Sequence, residues 1–337
     1  MNETIRKIEV SDFEKVSALY ENKKSVEELK WLFTDPDNKK IYNAFVVVNE
    51  SEELLGVIGY CISIYSDDKN FIKGVIPMSW KIADQYKGFA GVQLLKKVLS
   101  LAEFGIAIQG SETAKQLYPL FKYRFLSTGF EYYKILNLKN VFLSLKRTTP
   151  IKTFGMLAYL LPTLLNQPSK NQYSKYITFI PYKRELFIDG PEYMGIFRKR
   201  INSNYIDWLL GCPKVKTYGF SIQFKDKCLG TCVLYIQKTG NFYKGRIVHL
   251  PFLGYDQNLW VAVIDQCIEF FKKKNCCLIT GFAHNKINKS IFLESGFLTW
   301  KNFGRDVFVK DTMNKLSAYD LENWYLQYSE GDKAYRI

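Results

Sequence analysis

The chain has 337 residues, 47% of them apolar and 16% aromatic, which excludes a disordered or fibrous protein and suits two cored units of about 150 residues each. With 47 Lys and Arg against 33 Asp and Glu, the net charge of +14 should attract polyanions: nucleic acid, acidic phospholipid or a phosphate-rich cofactor. Seven scattered cysteines and only two histidines, His249 and His284, lack metal-ligand spacing and exclude a disulfide framework or a zinc finger.

Residues 1–7 run into a strand and helix pattern with no secretory signal, so a cytoplasmic protein is expected. The phrase WLFTDPDNK (31–39) comes next. It is echoed by WLLGCPKVK (208–216), with Trp31 and Trp208 177 positions apart. The pattern behind each copy also recurs. Residues 43–65 and 217–238 each read as strand, polar turn and strand. Residues 92–104 and 259–274 space apolar residues at three and four, the period of a helix with one buried face. Each helix precedes a short strand, a second helix and a Gly-Phe pair, Gly129-Phe130 in the first half and Gly296-Phe297 in the second. The repetition predicts an α/β (α+β) protein of two tandem units, 1–147 and 179–337, joined by a linker over 148–178.

Within the linker, FGMLAYLLPTLL (154–165) falls short of the roughly 20 residues that cross a bilayer, and Pro162 interrupts it. Its basic flanks, Lys146, Arg147, Lys152 and Lys170, leave two readings: a helix packed between the units, or peripheral contact with an anionic membrane.

DQYKGFAGVQLLKKVL (84–99) places a glycine-bearing turn before an amphipathic helix. Free backbone N–H groups and the positive dipole end make such a helix start a phosphate site when small residues allow approach. Gly88, Ala90 and Gly91 are small, and Gln85 and Lys87 are donors. The stretch resembles the GNAT superfamily, the GCN5-related N-acetyltransferases. Their pyrophosphate loop, Gln/Arg-x-x-Gly-x-Gly/Ala, is matched by Gln85-Tyr86-Lys87-Gly88-Phe89-Ala90, after a central strand over 75–82.

The family's Asn-x-x-Ala-x-x-Leu-Tyr-x-x-x-Gly-Phe has relatives in both halves. The second half keeps the spacing from Asn285 to Gly296-Phe297, with Phe292 at the tyrosine position. The first runs from Ser111 through Ala114 and Leu117 to Tyr118, after which about two extra helical turns are expected before Gly129-Phe130. If those turns are absorbed upstream instead, Phe125 takes the tyrosine position.

The resemblance implies two GNAT-like domains, each a mixed, mostly antiparallel twisted sheet flanked by helices. It also implies an acyl-coenzyme A co-substrate, acetyl-CoA or another acyl-CoA, held without a metal by Ile82, Gln85, Lys87, Gly88, Phe89, Ala90, Gly91 and Val92. Tyr118 is the implied acid that quenches the leaving thiolate. No base is identifiable, because 75–82 carries no Asp or Glu. The second half has a single glycine, Gly254, before its helix, and reads as an acceptor-binding unit or interface.

The expected activity is N-acylation of a primary amine. An amino sugar is the expected acceptor, from likeness to two-domain acyltransferases of bacterial surface-polysaccharide clusters, and location at the inner membrane's periphery would suit it. No DNA partner is expected. Two other readings stay open: a FemABX-type peptidyltransferase using aminoacyl-tRNA, which the +14 charge would suit, and a non-catalytic scaffold.

Overall fold

The computed structural model describes residues 3–66, 70–86, 89–137, 171–190, 196–284, 286–312 and 324–330. The expected strand, turn and strand form in each half. In the first half, β1 (Thr4–Lys7), α1 (Asp12–Leu19) and α2 (Val26–Phe33) precede β2 (Ala44–Val48), β3 (Leu54–Ser66) and β4 (Phe71–Ile82). Then come α3 (Phe89–Leu99), β5 (Phe104–Ile108), α4 (Glu112–Leu117) and β6 (Arg124–Ile135). The second half begins with β7 (Ile177–Pro181), β8 (Phe197–Lys199) and α5 (Ser203–Leu210), followed by β9 (Lys216–Phe224), β10 (Lys227–Thr239) and β11 (Phe242–His249). It continues with α6 (Gln257–Lys273), β12 (Cys276–Ala283), α7 (Lys286–Glu294), β13 (Leu298–Asp311) and β14 (Trp324–Tyr325). The apolar stretch 154–165 and most of the linker lie outside the described residues.

Local chemistry explains the helix starts. Ser25 caps α2 by accepting from Glu28 N at 3.1 Å, and Asn202 caps α5 by accepting from Tyr205 N at 2.9 Å. Below its cap, α2 buries Leu29, Leu32 and Phe33, each worth about 1.5–3 kcal/mol of apolar burial.

Among the described residues the strands form a single sheet. Mixed and mostly antiparallel, it runs β1-β2-β3-β4-β5-β13-β6-β12-β11-β10-β9-β7. Two separate sheets were expected, and the reason for one is strand exchange. β13, from the second half of the chain, pairs with β5, while β6, from the first, pairs with β12. The exchanged strands also pair with each other, Gly129 against Arg305 and Thr128 against Asp306. A shift of 177 positions, the Trp31 to Trp208 spacing, converts one of these pairs into the other, so an approximate two-fold axis passes there.

The echoed tryptophans meet across the same symmetry. Their rings stack at 5.0 Å and 12°, Trp31 Nε1 donates to Trp208 O at 2.7 Å, and Trp208 Nε1 donates to Trp31 O at 2.8 Å. Around them one core takes residues from both halves: Phe13, Leu29 and Phe33 with Ile206, Leu209 and Trp324. α3 and α4 cover a second core, and α6 and α7 a third.

Two sequence expectations are corrected. The first-half helix is not lengthened by two turns: α4 stops at Leu117, a 3-10 turn covers Pro119–Phe121, and β6 starts at Arg124. Gly129-Phe130 therefore lies inside a strand and is not the counterpart of Gly296-Phe297. Gly129 is needed there because the Phe282 ring leaves no room for a Cβ.

The true counterpart is Lys122-Tyr123. Lys122 (φ 59°) and Gly296 (φ 75°) are both left-handed. Tyr123 N donates to Tyr118 O at 3.0 Å as Phe297 N donates to Phe292 O at 2.9 Å. Tyr118 thus stands in register with Phe292, and Phe125, exposed on β6, does not take that position.

Candidate active site

The site in the first half starts from a gap in the sheet. Among the described residues, β4 and β5 pair only at Gly74 with Phe104 and Val75 with Gly105, then part toward their C-terminal ends. Within the parted stretch β4 carries a bulge, since Met78 and Lys81 face Gly59 and Val57. Ser79 sits in that bulge. Of eight non-glycine residues with positive φ among those described, Ser79 (φ 48°) is the one inside a strand. Such a conformation costs about 1–3 kcal/mol and has to be held by its surroundings.

The turn between α1 and α2 holds it. The Tyr20 hydroxyl donates to the Ser79 carbonyl, and the buried Lys24 ammonium donates to Ser79 Oγ at 2.7 Å while lying 5.1 Å from the Tyr20 ring centre. Ser17 Oγ donates to Lys24 O at 2.7 Å and fixes that end of the turn.

At the start of α3, Ala90 is buried, Phe89 is exposed, and Val92 packs half-buried against the same core. A Cβ on Gly91 would come within 3.1 Å of the Trp80 ring and 3.3 Å of Ile82, so Gly91 lets the helix start lie close on β4. Lys87, Gly88 and the side chain of Gln85 lie outside the described residues. Two polar side-chain atoms of the parted strands are buried without a partner: Trp80 Nε1 on β4 and Gln109 Oε1 just past β5.

Tyr118 reaches the same end of β5. It is buried, packed between Tyr123 and Phe308 with ring centres 5.1 and 5.0 Å away, and a Cβ on Gly110 would lie 2.6 Å from its hydroxyl. Ser111 opens its helix by accepting from Ala114 N at 3.1 Å. The structure thus brings Ile82, Gly91 and the C-terminal end of β4 to one helix start, with Tyr118 at the neighbouring strand end. Sequence reasoning missed Tyr20, Lys24, Ser79 and Trp80, because no motif marks a bulge.

The second half repeats the parting strands and fills the gap. β11 and β12 separate beyond Arg246 and Thr280. The carboxylate of Asp256 caps α6, accepting from Leu259 N at 3.2 Å, so a negative charge already occupies that helix start. Residues 324–330 fold into the gap: Gln327 Oε1 accepts from Leu250 N at 2.5 Å, and the Tyr325 hydroxyl donates to Leu250 O at 3.0 Å. Tyr328 packs beneath the guanidinium groups of Arg246 and Arg305, 5.1 and 4.8 Å from its ring centre. A cavity of about 20 Å³ remains beside Ile247, Asn288, Phe292 and Gln327. His249, at the end of β11, is fully enclosed, and burial with Lys199 and Arg198 nearby pulls its pKa down to about 3.

This chain is similar over 92% of its length to a GCN5-related N-acetyltransferase from Anabaena variabilis, with TM-score 0.61, 12% identity and 73% of that chain covered. The fold is GNAT-like. It is also similar, over 92% of its length, to Saccharomyces cerevisiae N-myristoyltransferase with bound myristoyl-CoA, with TM-score 0.57, 12% identity and 79% of that chain covered. An Enterococcus faecalis protein described as a probable N-acyltransferase matches 93% of the chain, with TM-score 0.57, 8% identity and 73% of its own length covered. No protein-family model matches the chain, and no curated protein matches its sequence. In the GNAT-like frame, the seven cysteines are all unpaired, and no metal-ligating cluster of three or more side chains occurs among the described residues. No helix among them is long and apolar enough to cross a membrane.

Proposed function

We propose that the protein is an acyl-CoA-dependent N-acyltransferase of two GNAT-like units, 1–147 and 179–337, in which the first binds the co-substrate. The observation that carries this reading is the parting of β4 and β5 around a bulge, with the glycine-bearing start of α3 beside it. The pyrophosphate would meet the amides at the start of α3, aided by Gln85, Lys87 and Gly88, and the arm would pass Ile82, Ala90, Gly91 and Val92.

In the reaction a neutral amine forms a bond to the thioester carbon, and its electron pair displaces the C–S pair onto sulfur. Tyr118 donates its proton to that sulfur, and the amine nitrogen loses its extra proton to water. Backbone amides at the β4 bulge would oppose the negative oxygen that develops on the way. The acceptor proposed is a primary amine, with an amino sugar preferred from the resemblance to polysaccharide-cluster acyltransferases. The protein would work in the cytoplasm, at the membrane periphery if 154–165 touches lipid.

Calorimetric titration with acetyl-CoA tests this directly. Saturable binding, with acetyl transfer to an amine panel, is the expected result. Saturable binding of tRNA with none of acetyl-CoA would replace it with the aminoacyl-tRNA reading, and no binding of either would leave a scaffold.

A further inference from the structure

We infer that Tyr20 and Lys24 are positioning residues for acyl transfer: the turn between α1 and α2 clamps the β4 bulge and aims its backbone at the acyl carbonyl. This rests on the acyl-CoA reading of the site and assigns work to residues that no motif points to. Three observations converge. Ser79 holds a left-handed conformation inside a strand, which a serine adopts only when held. Both of its oxygens are held, the carbonyl by the Tyr20 hydroxyl and Oγ by Lys24 Nζ. Both partners come from one short turn, whose residues Glu21 (φ 55°) and Asn22 (φ 56°) are themselves left-handed.

The peptide joining Ser79 to Trp80 is planar and trans, so fixing its C=O toward Tyr20 fixes the Trp80 N–H in the opposite direction. That turns a flexible bulge into an oriented donor beside the parted strands. In the second half a backbone N–H just past the strand end is already engaged. At the end of β11 the backbone N–H of Leu250 takes a carbonyl oxygen, that of Gln327, at 2.5 Å. In that half the carbonyl is supplied by the chain itself, and in the first the thioester would supply it. The buried Lys24 ammonium adds a positive charge next to the same peptide, which favours electron density moving onto the acyl oxygen and back when the C–S bond breaks.

The test compares acetyl-CoA with its S-ethyl thioether, which lacks the carbonyl, on wild type, Tyr20→Phe, Lys24→Met and Lys24→Arg. Wild type should bind the thioester more tightly than the thioether. Tyr20→Phe and Lys24→Met should lose that preference, keep thioether affinity within about 2-fold, and lower kcat by about 10-fold or more with little change in KM. Lys24→Arg should recover part of the preference. A preference that survives both Tyr20→Phe and Lys24→Met would overturn the clamp while leaving the acyl-CoA reading intact. Failure of wild type to bind either compound would overturn that reading and the clamp with it.

Discussion

The two gaps in the sheet are built alike and treated in opposite ways. In the first half, β4 and β5 part beneath a helix start of small residues, and the bulge is strained and clamped. In the second, β11 and β12 part in the same manner. There the helix start carries the Asp256 carboxylate, and a backbone amide is already satisfied by Gln327. The two halves therefore share strand geometry because the shared core demands it, while the groups at the strand ends differ. Under the proposed function one half keeps the open strand ends for an acyl-CoA, and the other has turned the same space into packing that joins the halves.

The comparison breaks most severely if the filling segment is removed. Trp324 is fully buried, 4.5 Å from the Phe197 ring centre and edge-on to Phe104 at 5.9 Å, so Trp324→Ala should cost about 3–5 kcal/mol in denaturant unfolding. A loss under about 1 kcal/mol would mean that the segment is not structural. Next in size is Tyr118→Phe, which should lower turnover about 10²-fold while acetyl-CoA affinity stays nearly unchanged. Phe292 already fills that position in the second half, so the fold should accept the change.

Gly91→Val should weaken acetyl-CoA binding by about 10-fold or more, since even its Cβ meets Trp80 at 3.1 Å. Asp256→Ala, at the helix start of the second half, should leave that affinity unchanged and cost about 1 kcal/mol of stability as a lost helix cap. A further effect concerns acid. His249 has its folded pKa lowered from 6.5 to about 3, so the unfolded chain binds its proton first and stability is lost as pH falls through that window. In His249→Leu this part of the loss should disappear, measurable as a shallower fall in Tm between pH 6.5 and 4.

Much of this was legible in the sequence. The echoed Trp phrases, the hairpins and the amphipathic helices are local patterns; β2, β3, β9, β10 and α6 formed where those patterns placed them, and α3, read over 92–104, starts earlier and ends at Leu99 because Phe104 already belongs to β5. Strand exchange was not legible, because β6 and β13 read as ordinary strands and only tertiary pairing decides their neighbours. The Gly-Phe repeat misled for a related reason. Lys122 adopts the left-handed turn that Gly296 makes in the second copy, and the dipeptide that survived at 129–130 belongs to a strand beneath the Phe282 ring. At the site, the glycine turn and Tyr118 were visible as motifs, whereas the clamp from Tyr20 and Lys24 spans 59 and 55 positions of chain and carries no local signature.

Hydrogen–deuterium exchange with and without saturating acetyl-CoA tests the asymmetry most directly. The two helix starts report separately, at residues 89–92 for α3 and 257–260 for α6. Acetyl-CoA should protect the amides of 89–92 together with the β4 bulge and leave 257–260 unchanged. Protection at 257–260, with none at 89–92, would contradict the asymmetry by placing the co-substrate in the half that its own chain fills.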